Sequence, residues 1–237
     1  MTTLKEFWSM ADETRWEAQY EADKRLKYLQ NAPLEVVQEV CRQYRYFPKE
    51  FPYNLGILVA RSPYGKFKSL MSQILADELG NGKADRAHIN MYDRFLISIG
   101  VDENMIEGSI IPDNFALLEE KKKLALSQSL IYVIGLSGMG AECLCQVYLS
   151  LMHKNFANNP LIKANKENID WTFWDYHVGE PDIIHRQKVK EAINEIAEAD
   201  PSCVDELNAG YQKGKGDWDL MWDNIYDYAT KQPMAVI

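Results

Sequence analysis

The sequence predicts an all-α bundle of about seven or eight helices. Apolar residues recur at spacings of three and four along most of the chain, and the alternation expected of strands is absent. Glycine and proline punctuate the sequence at intervals suited to helices, and 46% apolar content over 237 residues is enough for a sizeable core.

Residues 3–30 read as a long amphipathic helix, and 34–46 as a second that starts after Pro33 with Leu34, Val37, Val40 and Cys41 on one side. The segment Phe47-Pro-Lys-Glu-Phe-Pro-Tyr53 carries two prolines and reads as a loop. A helix from about 64 to 79 stops at Gly80, Gly80-Asn-Gly82 turns the chain, and Asp85 is placed to cap a helix running to Ile99 before Gly100. Pro112 and Asp113 open a helix towards 134. Gly135, Gly138 and Gly140 then read as a break ahead of a helix carrying Glu142. The last two helices fall at 169–199, interrupted near Pro181, and at 217–230, where Trp218 and Trp222 read as core packing. No repeat, low-complexity segment or linker divides the sequence, so residues 1–237 are expected to form a single all-α domain.

A formal charge of −9 argues against nucleic acid or an anionic membrane as partner, because phosphates attract basic surfaces. The short basic run Lys121 to Lys123 reads as a solvated helix face. Cys41, Cys143, Cys145 and Cys203 show neither paired CxxC spacing nor a secretory context, which suggests reduced thiols in a cytoplasm. The first residues, with Lys5, Glu6, Asp12 and Glu13, do not read as a signal peptide. The apolar stretch around Glu142 is long enough to span a bilayer, but its three glycines point to a buried core helix.

Six residues stand out chemically. From Leu124 to His153, Glu142 is the sole charged residue apart from the terminal histidine, and an ionised carboxylate in such surroundings is costly unless a cation meets it. Glu78 continues the apolar stripe Phe67, Leu70, Met71, Ile74, Leu75. His88 shares a face with Met91, Tyr92, Phe95 and Ile99, and His185 heads the stripe Val189, Ala192, Ile196. With His177 and Asp182 these make three imidazoles and three carboxylates, the donor types of a metal site. His153, beside Lys154 near a helix end, reads instead as complementing the helix dipole. Glu142 alone could be paired with Arg15 or Lys66.

Spacing decides which of the six can meet. On one unbroken helix Glu78 and His88 would point about 80° apart, but the Gly80-Asn-Gly82 turn puts them on consecutive helices that can face one centre. Asp182 and His185 are one turn apart, as in the carboxylate-x-x-His pairs of di-metal bundles. His177 to Asp182 amounts to roughly 140° of rotation. Pro181 lacks the N–H that would bond the His177 carbonyl and Gly179 loosens the same turn, so a π-bulge or kink there would align all three. Glu180, three residues after His177, is the alternative carboxylate.

These residues resemble the haem-oxygenase-like di-metal oxidases and oxygenases, which include UndA-like and CADD-like proteins and share a fold with TenA and PqqC proteins. The family pattern has a Glu followed by Leu-Gly and a glycine, then a His on the next helix, here Glu78-Leu-Gly-Asn-Gly82 and His88. It continues with a mid-chain Glu, here Glu142, and closes with His-x3-Asp-x2-His, for which this chain has His177, Asp182 and His185 with one extra residue. The resemblance spans about residues 10 to 200.

The resemblance implies two metal ions, iron foremost and manganese in some members, held by Glu78, His88, Glu142, His177, Asp182 and His185, with dioxygen as co-substrate. It implies a cytoplasmic oxidase or oxygenase acting on a small, partly apolar molecule. Some CADD-like proteins form 4-aminobenzoate from a tyrosine of their own, for which Tyr20 and Tyr28 are the N-terminal candidates. Tyr92 and Tyr176 lie near ligands in sequence and could carry electrons. The expected partner is a small-molecule substrate, neither nucleic acid nor membrane, with a homodimer left open. The competing readings are a metal-free TenA-like hydrolase of the thiaminase type and a non-enzymatic helical interaction protein; Cys143, beside Glu142, is similar in place to the nucleophile of such thiaminases but without a matched motif reads as a small core residue.

Overall fold

The computed structural model describes residues 2–140, 144–178 and 180–231, with the backbone alone for 180–185. No described residue lies in a strand. The helices are α1 Leu4–Leu26, α2 Leu34–Tyr44, α3 Tyr46–Arg61, α4 Lys66–Glu78, α5 His88–Ser98 and α6 Pro112–Ser127. They continue with α7 Leu130–Val133, α8 Cys145–Ala157, α9 Pro160–Ala164, α10 Thr172–His177, α11 Glu180–Ala199 and α12 Val204–Lys231. Helix α1 packs along α8 and α12, α3 lies on α4 and α6, and α10 meets α5, α8 and α11.

Helix α1 starts in a capping box, with the Glu6 amide donating to Thr3 Oγ1 and the Thr3 amide to Glu6 Oε2. Its inward face is mostly small, Ala11, Ala18 and Ala22, which lets neighbouring helices approach closely.

The segment expected as a loop at 47–53 is instead the first half of α3. Pro48 falls in the first turn, where an N–H would have no intrahelical acceptor, and Pro52 removes one interior hydrogen bond. Burial of Phe47, Leu55 and Leu58 offsets that loss, with the Phe47 ring 4.1 Å from that of Trp218. Nor does Asp85 cap α5: it lies in a short 3₁₀ turn, and Ala87 takes the N-cap position with no side-chain hydrogen bond. The helix expected from 112 to 134 stops at Ser127, where Arg61 donates to the carbonyls of Ala125 and Gln128 and Ser129 caps α7.

The glycines expected to break the chain have a different role. Residues Ile134–Met139 form a π-helical segment running on from α7, and it packs backbone to backbone against α12. A Cβ on Gly135 would stand 2.1 Å from the Leu207 carbonyl oxygen, and one on Gly210 would stand 2.0 Å from that of Tyr132. The same requirement explains why α12 begins at Val204 rather than 217: its glycines lower helix propensity, but Gly210 and Gly214 are what the contact needs. Trp218 and Trp222 are buried as expected, and Trp218 Nε1 donates to the Gly140 carbonyl at 2.7 Å.

Lys121 departs from the solvated face expected of the basic run. It is 2% exposed, its ammonium sits 5.0 Å from the centre of the Phe47 ring, and burial drives its pKa down to about 8 against partial support from Asp217. Asp217 is also buried, with its pKa raised by desolvation, and accepts from Lys213 Nζ at 2.6 Å.

Candidate metal centre

The turn between α4 and α5 builds half of the site. Gly80, Asn81 and Gly82 all have positive φ, at 82°, 52° and 83°. A Cβ on Gly80 would stand 2.2 Å from the Lys83 carbonyl oxygen, so a tight reversal here requires glycine. The reversal leaves Glu78 as the last residue of α4 and His88 as the first of α5, with Glu78 Oε2 3.0 Å from His88 Nδ1.

Helix α10 supplies the other half. His177 ends that helix, is buried, and places Nε2 3.1 Å from His88 Nδ1. Its Nδ1 lies 2.7 Å from the Phe173 carbonyl oxygen, which only an N–H can satisfy, so Nε2 carries the lone pair of the neutral ring. The Phe173 ring stacks on the imidazole at 4.0 Å and fixes its plane. Ligand atoms about 2.1 Å from a common ion and at right angles stand about 3.0 Å apart. The two separations match that spacing, and the three donor atoms all lie within 4.8 Å of one another. A carboxylate and two imidazoles so arranged could hold a metal ion.

Two supports were not read from the sequence. Phe173 is one helical turn before His177, and that spacing was the available signal. Asp77 binds Tyr176, whose hydroxyl donates to Asp77 Oδ2, while Asn81 Nδ2 donates to Oδ1 at 2.8 Å. This ties the glycine turn to α10 and sets the Tyr176 ring edge-on to His88 at 4.9 Å.

Of the six sequence candidates, Glu78, His88 and His177 are brought together. Glu142 and the side chains of Asp182, His185 and Glu180 lie outside the described residues, as does Cys143. The π-bulge or kink expected between His177 and Asp182 turns on Gly179, which lies outside the described residues. Helix α10 ends at His177 and α11 starts at Glu180, so Pro181 occupies a first-turn position where its missing N–H costs nothing.

Tyr92 is fully buried and donates to the Cys41 carbonyl at 2.8 Å. Tyr20 is 72% exposed, and Tyr28 packs edge-on against Tyr226. Lys66 pairs with Glu195 and Arg15 donates to Gln146. His153 is stacked on Trp174 with its pKa lowered by burial, which disfavours the protonated ring needed to complement a helix dipole.

The family described as iron-containing redox enzyme matches residues 38–214. Solved structures of similar architecture include a CADD-like protein of unknown function from Nostoc punctiforme, with TM-score 0.75 and 15% identity over 98% of this chain and 100% of that one. A domain of unknown function with a heme oxygenase-like fold from Shewanella denitrificans gives TM-score 0.69 and 15% identity over 98% and 94%. A TenA family transcription regulator from Silicibacter gives 0.60 and 11% over 91% and 96%. At these identities the likeness concerns the fold. No curated protein matches the sequence significantly. The chain belongs to the haem-oxygenase-like family of iron-containing redox enzymes. Among the described residues, no helix is long and apolar enough to cross a membrane.

Proposed function

We propose that this protein, as a single domain, is an oxidase or oxygenase that uses dioxygen and a dinuclear iron or iron–manganese centre to oxidise a small, partly apolar substrate. The convergence of Glu78 Oε2, His88 Nδ1 and His177 Nε2 carries this reading. One carboxylate oxygen and two imidazole nitrogens so close together are the donor types that a single cation would engage at once. Glu142, Asp182 and His185 would complete the six ligands, with Glu180 as the alternative to Asp182. Iron held there would supply the redox chemistry and activate dioxygen. The chain's own contribution is to keep the His177 proton on Nδ1 through the Phe173 carbonyl and to bring negative charge with Glu78. The buried Phe173 ring covers one face of the His177 imidazole.

Anaerobic reconstitution with Fe(II) tests this reading. Binding of about two ions per chain and a transient visible absorption on exposure to oxygen are expected. Less than about one tightly held ion per chain rejects the dinuclear centre. A TenA-like hydrolase would show neither signal, and a bundle merely stapled by metal would bind an ion without the transient absorption.

A further inference from the structure

Helices α1, α8 and α11 line a half-open groove of about 640 Å³, within the usual range for small-molecule sites. Arg15, Lys154 and Arg186 line it, and Asp12 is the one acidic residue among the described residues of its wall. In a chain of net charge −9, this is a local reversal of sign. Arg186 already binds a carboxylate there, donating to Asp12 at 2.8 Å, and Arg15 is oriented by its 2.7 Å bond to Gln146. Lys154 makes no ion pair with a described residue. Val147 and Leu151 give the wall an apolar side, and Trp16 is 72% exposed at its edge.

The two arginines also line a smaller inner cavity with Trp8, Met139 and Tyr211, which reaches the π-helical segment. Arg186 directly follows the proposed ligand His185 on α11, so this wall shares that helix with the proposed centre.

We infer that this groove binds an organic acid with a planar apolar body, its carboxylate held by Arg186, Arg15 and Lys154 and its ring covered by Trp16. Guanidinium groups match a carboxylate in fork geometry, and an exposed indole beside them offers a stacking face. As the substrate site of the enzyme, the groove rests on the metal-dependent reading above.

Benzoate titrated into the full metal-free chain, followed by calorimetry and tryptophan fluorescence, provides the test. Saturable binding is expected, weakened about tenfold by Arg186→Gln and by Lys154→Gln, with the fluorescence response reduced in Trp16→Phe. Lys66→Gln, outside the groove, should bind as the parent does, and thermal melts establish that each variant is folded. No saturation below about 10 mM, equal binding of neutral benzyl alcohol, or inorganic phosphate binding as tightly as benzoate would each overturn the inference. The titration needs no metal, so its outcome is separable from that of iron reconstitution.

Discussion

His88 Nδ1 and His177 Nε2 stand 3.1 Å apart although 89 positions separate them in the chain. The rings meet nearly perpendicular, at 80°, and each is held from its own side, His88 by the Glu78 carboxylate and His177 by the Phe173 carbonyl. The geometry is therefore set by the protein, which reduces the ordering cost of binding an ion.

Replacing one of these nitrogens should remove metal without unfolding the chain. His88→Ala is expected to bind about one iron fewer than the parent after anaerobic reconstitution, measured by elemental analysis beside a thermal melt of the metal-free protein. Tyr176→Phe, which loses the bond to Asp77, should weaken iron binding by about tenfold. Unchanged iron content in His88→Ala would refute its role as a ligand.

The third carboxylate is decided by a pair of variants. Asp182 is one turn before His185 on α11, and we predict that Asp182→Ala loses one ion whereas Glu180→Ala keeps nearly the full complement. The reverse result transfers the role to Glu180.

The glycine contact makes a prediction about stability. Gly210→Ala would push a methyl group into the Tyr132 carbonyl and should destabilise the fold by about 3 kcal/mol or more in denaturant titrations. At Gly216, on the same helix, an added Cβ would meet nothing within 4 Å, so Gly216→Ala should be neutral or stabilise by up to about 1 kcal/mol. Similar responses from the two variants would show that the close backbone approach is not what those glycines provide.

Buried Lys121 makes stability depend on alkaline pH. Burial holds its pKa at about 8 in the native chain against an ordinary 10.5. Between those values the unfolded chain binds a proton that the native chain does not, so this contribution raises stability as pH increases. Below pH 8 both forms are protonated and the full cost of burying the charge applies. Lys121→Met should therefore be the more stable form at pH 7, with its advantage shrinking by about 1 to 3 kcal/mol by pH 10. Parallel stability curves for parent and variant across that range would count against a titrating Lys121.

Helical periodicity made the all-α class legible, and the Gly80-Asn-Gly82 turn announced that Glu78 and His88 face each other. Both are local properties of the sequence. The readings that differed involved glycine, proline and lysine, whose local preferences were overridden by distant contacts. Gly135 and Gly210 resemble helix breakers until the approach of α7 to α12 is known. Pro48 and Pro52 resemble a loop until Phe47 is seen against Trp218, and Lys121 looks solvated until α12 covers it with Asp217. The pairing of His177 with His88 was inferred from residue type and from the family resemblance, since no local signal spans so long a separation.

The two halves of the convergent group also differ in when they can form. Glu78 and His88 are joined by a ten-residue excursion, whereas His177 is 89 positions from His88, and closing the longer loop costs about 2 kcal/mol more chain entropy. During synthesis the distal histidine leaves the ribosome roughly 5 to 20 s after its partner. For that interval the nascent chain carries a carboxylate–imidazole pair without the nitrogen from α10, so the three-residue group described here closes only when the C-terminal half arrives.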